Sequence, residues 1–416
     1  MSASPNRLVH LPPLVAVQVV SVLCGLIGVR WSSAVVPPEA MGVYGLLLSA
    51  QQFASTVTHQ GFIKHVQQCW TAQMPARPYL RLLFRAMGWP LAWLAAGMAI
   101  FIAYFTFSAG IAAPAGWWVW LVAVNLLAVV SAAAQAALQT EERYWTGFGV
   151  AAVGAASRSF LPPMLVMLGG SVLPMLGAGF LLHAVLFAIV AVWCLRNAWY
   201  RPSPIEAIVP PDSVVQAFVG VGLFAWLGAA APRWFAAEAL DAEVTGYFML
   251  ATNLAMIVPA SAGLIGQNYS FPALFAAGRR GASLAELFRL TNRTIAVVMV
   301  VTQLGLLALA ACAPWLVGWL IDARYTPAVG WIMAAGGGVL ATLSTPFFCN
   351  LLIARNRQQA CVWLSASSTA FRFAVLAGLA FFSSREAFRL GLCLIAWPTV
   401  VLEWWLTRRW VGAQPA

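Results

Sequence analysis

The sequence predicts an all-α polytopic membrane protein, with about twelve transmembrane helices in two six-helix lobes related by a pseudo-two-fold axis along the membrane normal. Three observations predict it. Of 416 residues, 62% are hydrophobic and only 8% charged, where a soluble chain would carry roughly a quarter charged. Apolar stretches of membrane length recur from end to end, and no long polar block is left to build a separate soluble domain. The two halves also resemble each other: PEAMGVYGLLL at Pro38 to Leu48 lines up with AEVTGYFMLAT at Ala242 to Thr252, which places Glu39 on Glu243 and Gly42 on Gly246. The lobes are expected at 1–205 and 206–416.

The first span runs from about Leu11 to Ala34. Gln18, Ser21, Gly25, Gly28 and Ser32 share one face at helical spacing, and Arg30 lies near the outer end, off that face. Arg7 precedes this apolar run without a small-residue cleavage site and a soluble mature chain behind it, so the span is expected to be retained. The second span opens on the Pro37-Pro38 turn, Glu39 and a Gly-Val-Tyr step. It carries a wide polar arc of Gln51, Gln52, Ser55, Thr56, Thr58, His59 and Gln60. Unsatisfied polar groups in hydrocarbon cost roughly several kcal/mol, so the arc should face neighbouring helices or a water-filled cavity. The adjacent glutamines need both donors and acceptors and favour the cavity.

A basic segment with Lys64, Arg77, Arg81 and Arg85 leads to a third span ending near Phe107. The fourth covers Trp117 to Thr140, and Glu141, Glu142 and Arg143 make a tight polar turn. The fifth, Trp145 to Leu168, contains Arg158, with Pro162 and Pro163 one turn later, where a kink is expected. The sixth covers Leu173 to Leu195. A polar, proline-rich linker from Arg196 to Asp212 separates the halves. The seventh span is expected at Ser213 to Ala231 and a loop at Arg233 to Glu243. The eighth runs from Val244 to about Gln267, with Asn253 as the counterpart of the polar arc. After Arg279, Arg280, Arg289 and Arg293 comes a ninth span, Thr294 to Cys312. Asp322 and Arg324 mark a loop before the tenth, which ends near Ala354. The eleventh, Ala360 to Phe382, contains Arg372, and the twelfth, Ala387 to Leu406, is closed by Arg408 and Arg409.

The net charge of +11 comes almost entirely from arginine. In a soluble protein it would suggest nucleic acid; here the positive-inside bias explains it. With the N-terminus inside, only Arg233, Arg324 and Arg385 fall in outer loops, so both termini are expected in the cytoplasm. Tryptophans crowd the expected helix ends, as interfacial anchors do. The seven cysteines form no CxxC pair, and the four histidines lack metal-ligand spacing, so neither a disulfide framework nor a metal site is expected. The acidic residues fall in loops or at helix ends, with Glu403 near the cytoplasmic end of the twelfth span, so no carboxylate is expected in the bilayer centre. No catalytic constellation appears, and the chain does not read as an enzyme.

Arg158 and Arg372 occupy matching depths in the two halves. An arginine at mid-span costs roughly 2.5–3.5 kcal/mol, so each needs an anion, water or backbone carbonyls. A pyrophosphate suits the forked donors of arginine; alternatively each Arg locks its own lobe by binding carbonyls. Arg30 and its rough repeat partner Arg233 are candidates for the same cavity or for interfacial anchoring. Neutral amides and hydroxyls suit sugar hydroxyls.

The PPEAMGVYGLLL step, the HQGF step ending the second span, LQTEERYWTGFGVAAVGAASR and WLIDARYTPAVGWI resemble the polysaccharide-exporting branch of the multidrug/oligosaccharidyl-lipid/polysaccharide (MOP) flippase superfamily, closest to Wzx-type O-antigen and exopolysaccharide repeat-unit flippases. The resemblance spans nearly the whole chain. It implies a MATE/MOP-like pair of six-helix lobes in a bacterial inner membrane. It also implies alternating access, a polyprenyl-pyrophosphate-linked oligosaccharide moved from the cytoplasmic to the periplasmic leaflet, and the polysaccharide polymerase machinery as partner. Gln18, Gln51, Gln52, Ser55, His59, Asn253, Arg30, Arg158, Arg233 and Arg372 would line the substrate path. No cofactor is implied, and no residue decides between H⁺ and Na⁺ coupling. The alternatives are a peptidoglycan-precursor flippase, whose class commonly has two helices more than twelve, and a MATE-like drug antiporter, which wants a buried carboxylate for its cation.

Overall fold

The computed structural model describes residues 11–52, 117–140, 143–196, 212–240, 242–355 and 357–412, and every regular element among them is helical. Seven helices are long and apolar enough to cross a membrane, and one further pair, bent by 44°, makes eight if it is a single span. The third expected span, the polar turn Glu141–Glu142 and most of the proline-rich linker lie outside the described residues, as do Ser55 and His59.

Helix α1 is Leu11–Val35. It stops because Val36 precedes Pro37 and Pro37 precedes Pro38, and a residue before proline is pushed out of the helical region. Helix α2 restarts at residue 38, with residues through 52 described. There follow α3 (Trp117–Thr140), α4 (Tyr144–Met167) and α5 (Val172–Leu195). Helix α4 runs through Pro162 and Pro163; their missing N–H groups remove the helical donors for the carbonyls of Arg158 and Ser159.

The second half departs from the expected boundaries in four places. Helix α6 is Asp212–Ala239 and contains Arg233, which was expected in a loop. Trp234, Phe235 and the alanines after them carry the helix past Pro232. Helices α7 (Ala242–Arg279) and α8 (Leu284–Leu320) have 38 and 37 residues. At 1.5 Å per residue each is roughly 55 Å long, well beyond a bilayer core of about 30 Å. Arg279, Arg289 and Arg293 therefore ride on helical extensions and not on a loop. The real turn is short: Gly281 takes a φ of +73°, and the Ser283 hydroxyl accepts from the Glu286 N–H to start α8. The tenth span is broken into a 3₁₀ segment, Ala323–Trp331, then α9 (Ile332–Leu340) and α10 (Thr345–Ala354). Three consecutive glycines, Gly336 to Gly338, and Pro346 weaken a continuous helix there. Helix α11 is Gln358–Phe382. The twelfth span is the bent pair α12 (Arg385–Leu394) and α13 (Ala396–Gly412); Pro398 has no N–H for the carbonyl of Leu394.

The chain forms two compact units, Met1–Val35 with Leu47–Gly222, and Val36–Leu46 with Leu223–Ala416. In the first, α4 packs against α1 and α5, and α3 against α5. Small residues set these approaches. A Cβ on Gly28 of α1 would meet the Ser159 Cβ at 2.7 Å, and one on Gly179 of α5 would collide with the backbone of Pro162. The Trp120 indole N–H donates to the Gly177 carbonyl at 2.6 Å, tying α3 to α5. In the second unit α7 packs on α8, on α9 and on the 3₁₀ segment, while α11 packs on α10, α12 and α13.

Residues 36–46 dock into the second unit as a strap. The Tyr325 hydroxyl donates to the Val36 carbonyl at 2.9 Å, with Tyr325 fully buried. The Pro38 carbonyl sits on Gly246, where any Cβ would strike it, and Gly45 lies against Met249. These are the segments the internal repeat superposes, 38–48 and 242–252, so the two repeat mates pack on one another. Gly246→Leu is expected to expel the strap and destabilise the unit by roughly 1–3 kcal/mol through overpacking, whereas Tyr325→Phe should cost about 1 kcal/mol. Equilibrium unfolding in mixed micelles measures both; a Gly246→Leu protein as stable as wild type would show that the strap is not seated there.

Candidate functional site

Among the described residues, each unit has a polar cluster beside a mid-span arginine. In the first unit the cluster grows from α4 and α5. Successive turns of α4 place Val153 and Ser157 in line, and the Ser157 hydroxyl donates to the Val153 carbonyl at 2.6 Å. The same oxygen lies 2.7 Å from Nδ1 of His183 on α5. With the serine proton already given away, the imidazole donates from Nδ1. His183 is stacked on Phe187, 5.8 Å between ring centres at 17°, and meets Phe180 edge-on at 5.4 Å. Phe180 also contacts Trp120 of α3 at 5.8 Å. Arg158, one residue beyond Ser157, sits with its guanidinium carbon 5.9 Å from the Phe180 ring centre. It is exposed, and among the described residues no carboxylate pairs with it.

The second cluster is the repeat mate of the first in sequence, and its environment is the opposite. Arg372 is only 2% exposed. Its Nε donates to the Ser368 carbonyl at 3.3 Å, Nη1 to the Ala341 carbonyl at 3.2 Å, and Nη2 to the Thr369 hydroxyl at 3.3 Å. Ala341 lies where the tenth span is broken, so the arginine uses a carbonyl that the break offers. The guanidinium also fills the space over Gly228 of α6, where a side chain would collide with it. Thr369 donates in turn to the Phe224 carbonyl at 2.7 Å.

Beside Arg372 stands a buried carboxylate, and it overturns the expectation of an acid-free membrane interior. Glu403 of α13 is fully buried. Its Oε1 accepts from the hydroxyls of Thr345 at 2.5 Å and Ser368 at 2.6 Å, and its Oε2 from Ser344 at 2.6 Å. Hydroxyl bonds this short are typical of an ionised acceptor. Ser368 joins the two charges: its hydroxyl serves Glu403 while its carbonyl serves Arg372. The cluster thus binds α10, α11 and α13 to the break before α10, and through Gly228 and Phe224 to α6.

The remaining expected site residues are distributed. Gln18, Arg30, Gln51 and Gln52 belong to the first unit; Gln18 and Gln51 are half-buried, Arg30 and Gln52 exposed. In the second unit Asn253 is exposed on α7, and Arg233 is half-buried on α6 with Nη2 3.8 Å from the Met256 sulfur. Among the described residues no three His, Cys, Asp or Glu side chains gather into a metal-ligand set.

No protein-family model matches the chain, and no curated protein matches it in sequence. Solved structures do. An inward-facing multidrug resistance MATE family transporter of the MOP superfamily is similar with a TM-score of 0.64 and 11% identity, over 94% of this chain and 95% of that one. The MATE transporter VcmN of Vibrio cholerae is similar at 0.61 and 12%, over 97% and 95%. A MOP superfamily transporter of Pyrococcus furiosus, whose binding pocket has reverse polarity, is similar at 0.59 and 12%, over 96% and 94%. The chain is a multi-pass membrane protein with the fold of the MATE transporters of the MOP superfamily.

Proposed function

We propose that the protein is a flippase that moves polyprenyl-pyrophosphate-linked oligosaccharide repeat units from the cytoplasmic to the periplasmic leaflet of a bacterial inner membrane, by alternating access, for cell-surface polysaccharide synthesis. The observation that carries this reading is the asymmetry of the two arginines. Arg372 is saturated by carbonyls, a hydroxyl and the charge of Glu403. Arg158 is exposed at mid-span with an aromatic face behind it and, among the described residues, no carboxylate before it, which is the arrangement an anionic ligand requires. A diphosphate would take its forked donors, and the neutral amides Gln18, Gln51, Gln52 and Asn253 suit the sugar. Both termini lie in the cytoplasm in this reading, and the consumer of the product is the polymerase machinery.

A MATE-like cation-coupled antiporter is the second reading. Glu403 favours it, because a buried carboxylate is what a coupling cation needs. Against it, both oxygens of Glu403 are already taken by hydroxyls and its charge is balanced by Arg372. The test is leaflet accessibility of a fluorescent polyprenyl-pyrophosphate oligosaccharide in proteoliposomes, run beside efflux of a cationic dye under proton and sodium gradients. Sugar-lipid flipping without dye transport is the expected result. Dye efflux alone, with several donor sugars tried, would replace the flippase reading with the antiporter.

A further inference from the structure

We infer that the first unit carries a binding groove for an anionic diacyl phospholipid, separate from the substrate path. The groove lies between α3 and α5, has a volume of about 630 Å³, and is walled by Leu127, Val130, Ile189, Val192 and Trp193 with Arg196 at one end. This size is within the range of ligand clefts, about 300–1,000 Å³. Its wall is open: Ile189 is 61% and Trp193 59% exposed.

The end of the groove is basic by construction. Arg196 caps α5 and lays its guanidinium over the Trp193 ring, 4.6 Å from its centre. A cation held by its face leaves its N–H edge directed sideways, where a phosphate oxygen can accept. One guanidinium group therefore stands at the mouth of an otherwise apolar trough.

Length selects the occupant. From Ala188 to Arg196 the α5 wall rises about 12 Å, close to one leaflet's share, about 15 Å, of the hydrocarbon core. A diacyl chain fits that depth with its phosphate at Arg196, whereas a polyprenyl chain is far longer than the trough. Bulk lipid would wet such a wall without preference; Arg196 imposes one, worth roughly five-fold for a basic residue near the surface.

The probe is phosphatidylglycerol bearing a photoreactive group on its acyl chain, compared with the matching phosphatidylcholine, on the full-length protein in phosphatidylcholine liposomes. Cross-links on α3 and α5 are mapped by mass spectrometry. Wild type is expected to label at Val130 and Val192 about five-fold more with the anionic probe. Arg196→Gln should remove that preference and Arg196→Lys restore it, so a general folding defect cannot produce the pattern. Ala188→Trp, which fills the trough, should lower labelling by both probes. Equal labelling by the two probes in wild type, or an undiminished preference in Arg196→Gln, would overturn the proposal. So would displacement of the probe by polyprenyl pyrophosphate but not by unlabelled phosphatidylglycerol, which would assign the groove to the transported lipid.

Discussion

Glu403→Leu is expected to cost about 3–5 kcal/mol of stability, because it removes one member of a buried charge pair and leaves the other behind. In the native protein the negative charge of Glu403 is spread over three hydroxyl donors and lies next to Arg372 through Ser368. Take the carboxylate away and the hydroxyls of Ser344, Thr345 and Ser368 lose their acceptor. Arg372 stays cationic in a site 2% exposed. Glu403→Gln keeps the size and one acceptor oxygen, and should cost less, about 1–3 kcal/mol. The informative variant is the double one, Arg372→Leu with Glu403→Leu. Replacing a buried pair by apolar side chains is often close to neutral, so the double variant should be more stable than the sum of the single losses by about 0.5–3 kcal/mol. Unfolding in mixed micelles measures each corner of that cycle. Strict additivity, or a Glu403→Leu protein as stable as wild type, would mean that the carboxylate is not coupled to the arginine.

Arg158→Ala is expected to give the reverse pattern: translocation falls about ten- to hundred-fold, the loss of one charge-assisted contact of about 1.5–3 kcal/mol, while stability changes by no more than about 0.5 kcal/mol. The side chain is exposed and lies over the face of Phe180. Arg158→Lys retains the charge and gives up the fork, so its rate should lie between those of alanine and wild type. Arg372→Ala serves as the comparison. Its loss should appear first in unfolding, because it leaves the carbonyls of Ser368 and Ala341 without their donor. Measured side by side in the proteoliposome assay, equal flipping by wild type and Arg158→Ala would remove Arg158 from the anion path.

The sequence made the class of the fold legible through its apolar runs, and the repeat pointed to the strap and its mate. Helix ends were the weaker part. Arg289 and Arg293 read as a basic segment ahead of the ninth span because charge is usually taken as an exit from the membrane, yet a helix can leave the bilayer without unwinding, as α8 does. Arg233 was misplaced for a related reason: Pro232 before it reads as a breaker, and the apolar residues after it outweigh that. Glu403 was placed at a membrane boundary because Arg408 and Arg409 follow closely. The signal that would have found it lies elsewhere in the chain. Ser365, Ser368, Thr369 and Arg372 cluster on one helix, and Ser344 with Thr345 precedes Pro346. Hydroxyls concentrated at two sites in apolar sequence point to a common acceptor, and Glu403 is the carboxylate that Ser344, Thr345 and Ser368 share.

The strap also sets a timetable for biosynthesis. Val36 and its hydrogen-bond partner Tyr325 are 289 residues apart. At about 5–20 residues per second, the ribosome needs roughly 15–60 s to deliver the tyrosine after the valine has emerged. Until α7 and then Tyr325 have been made, the strap's inner face, with Val36, Met41 and Tyr44 all buried in the finished protein, lacks the second-unit surfaces that cover it. A nascent chain arrested before Gly246 should expose this face to a cross-linking chaperone or insertase, and the signal should vanish once Tyr325 has been made.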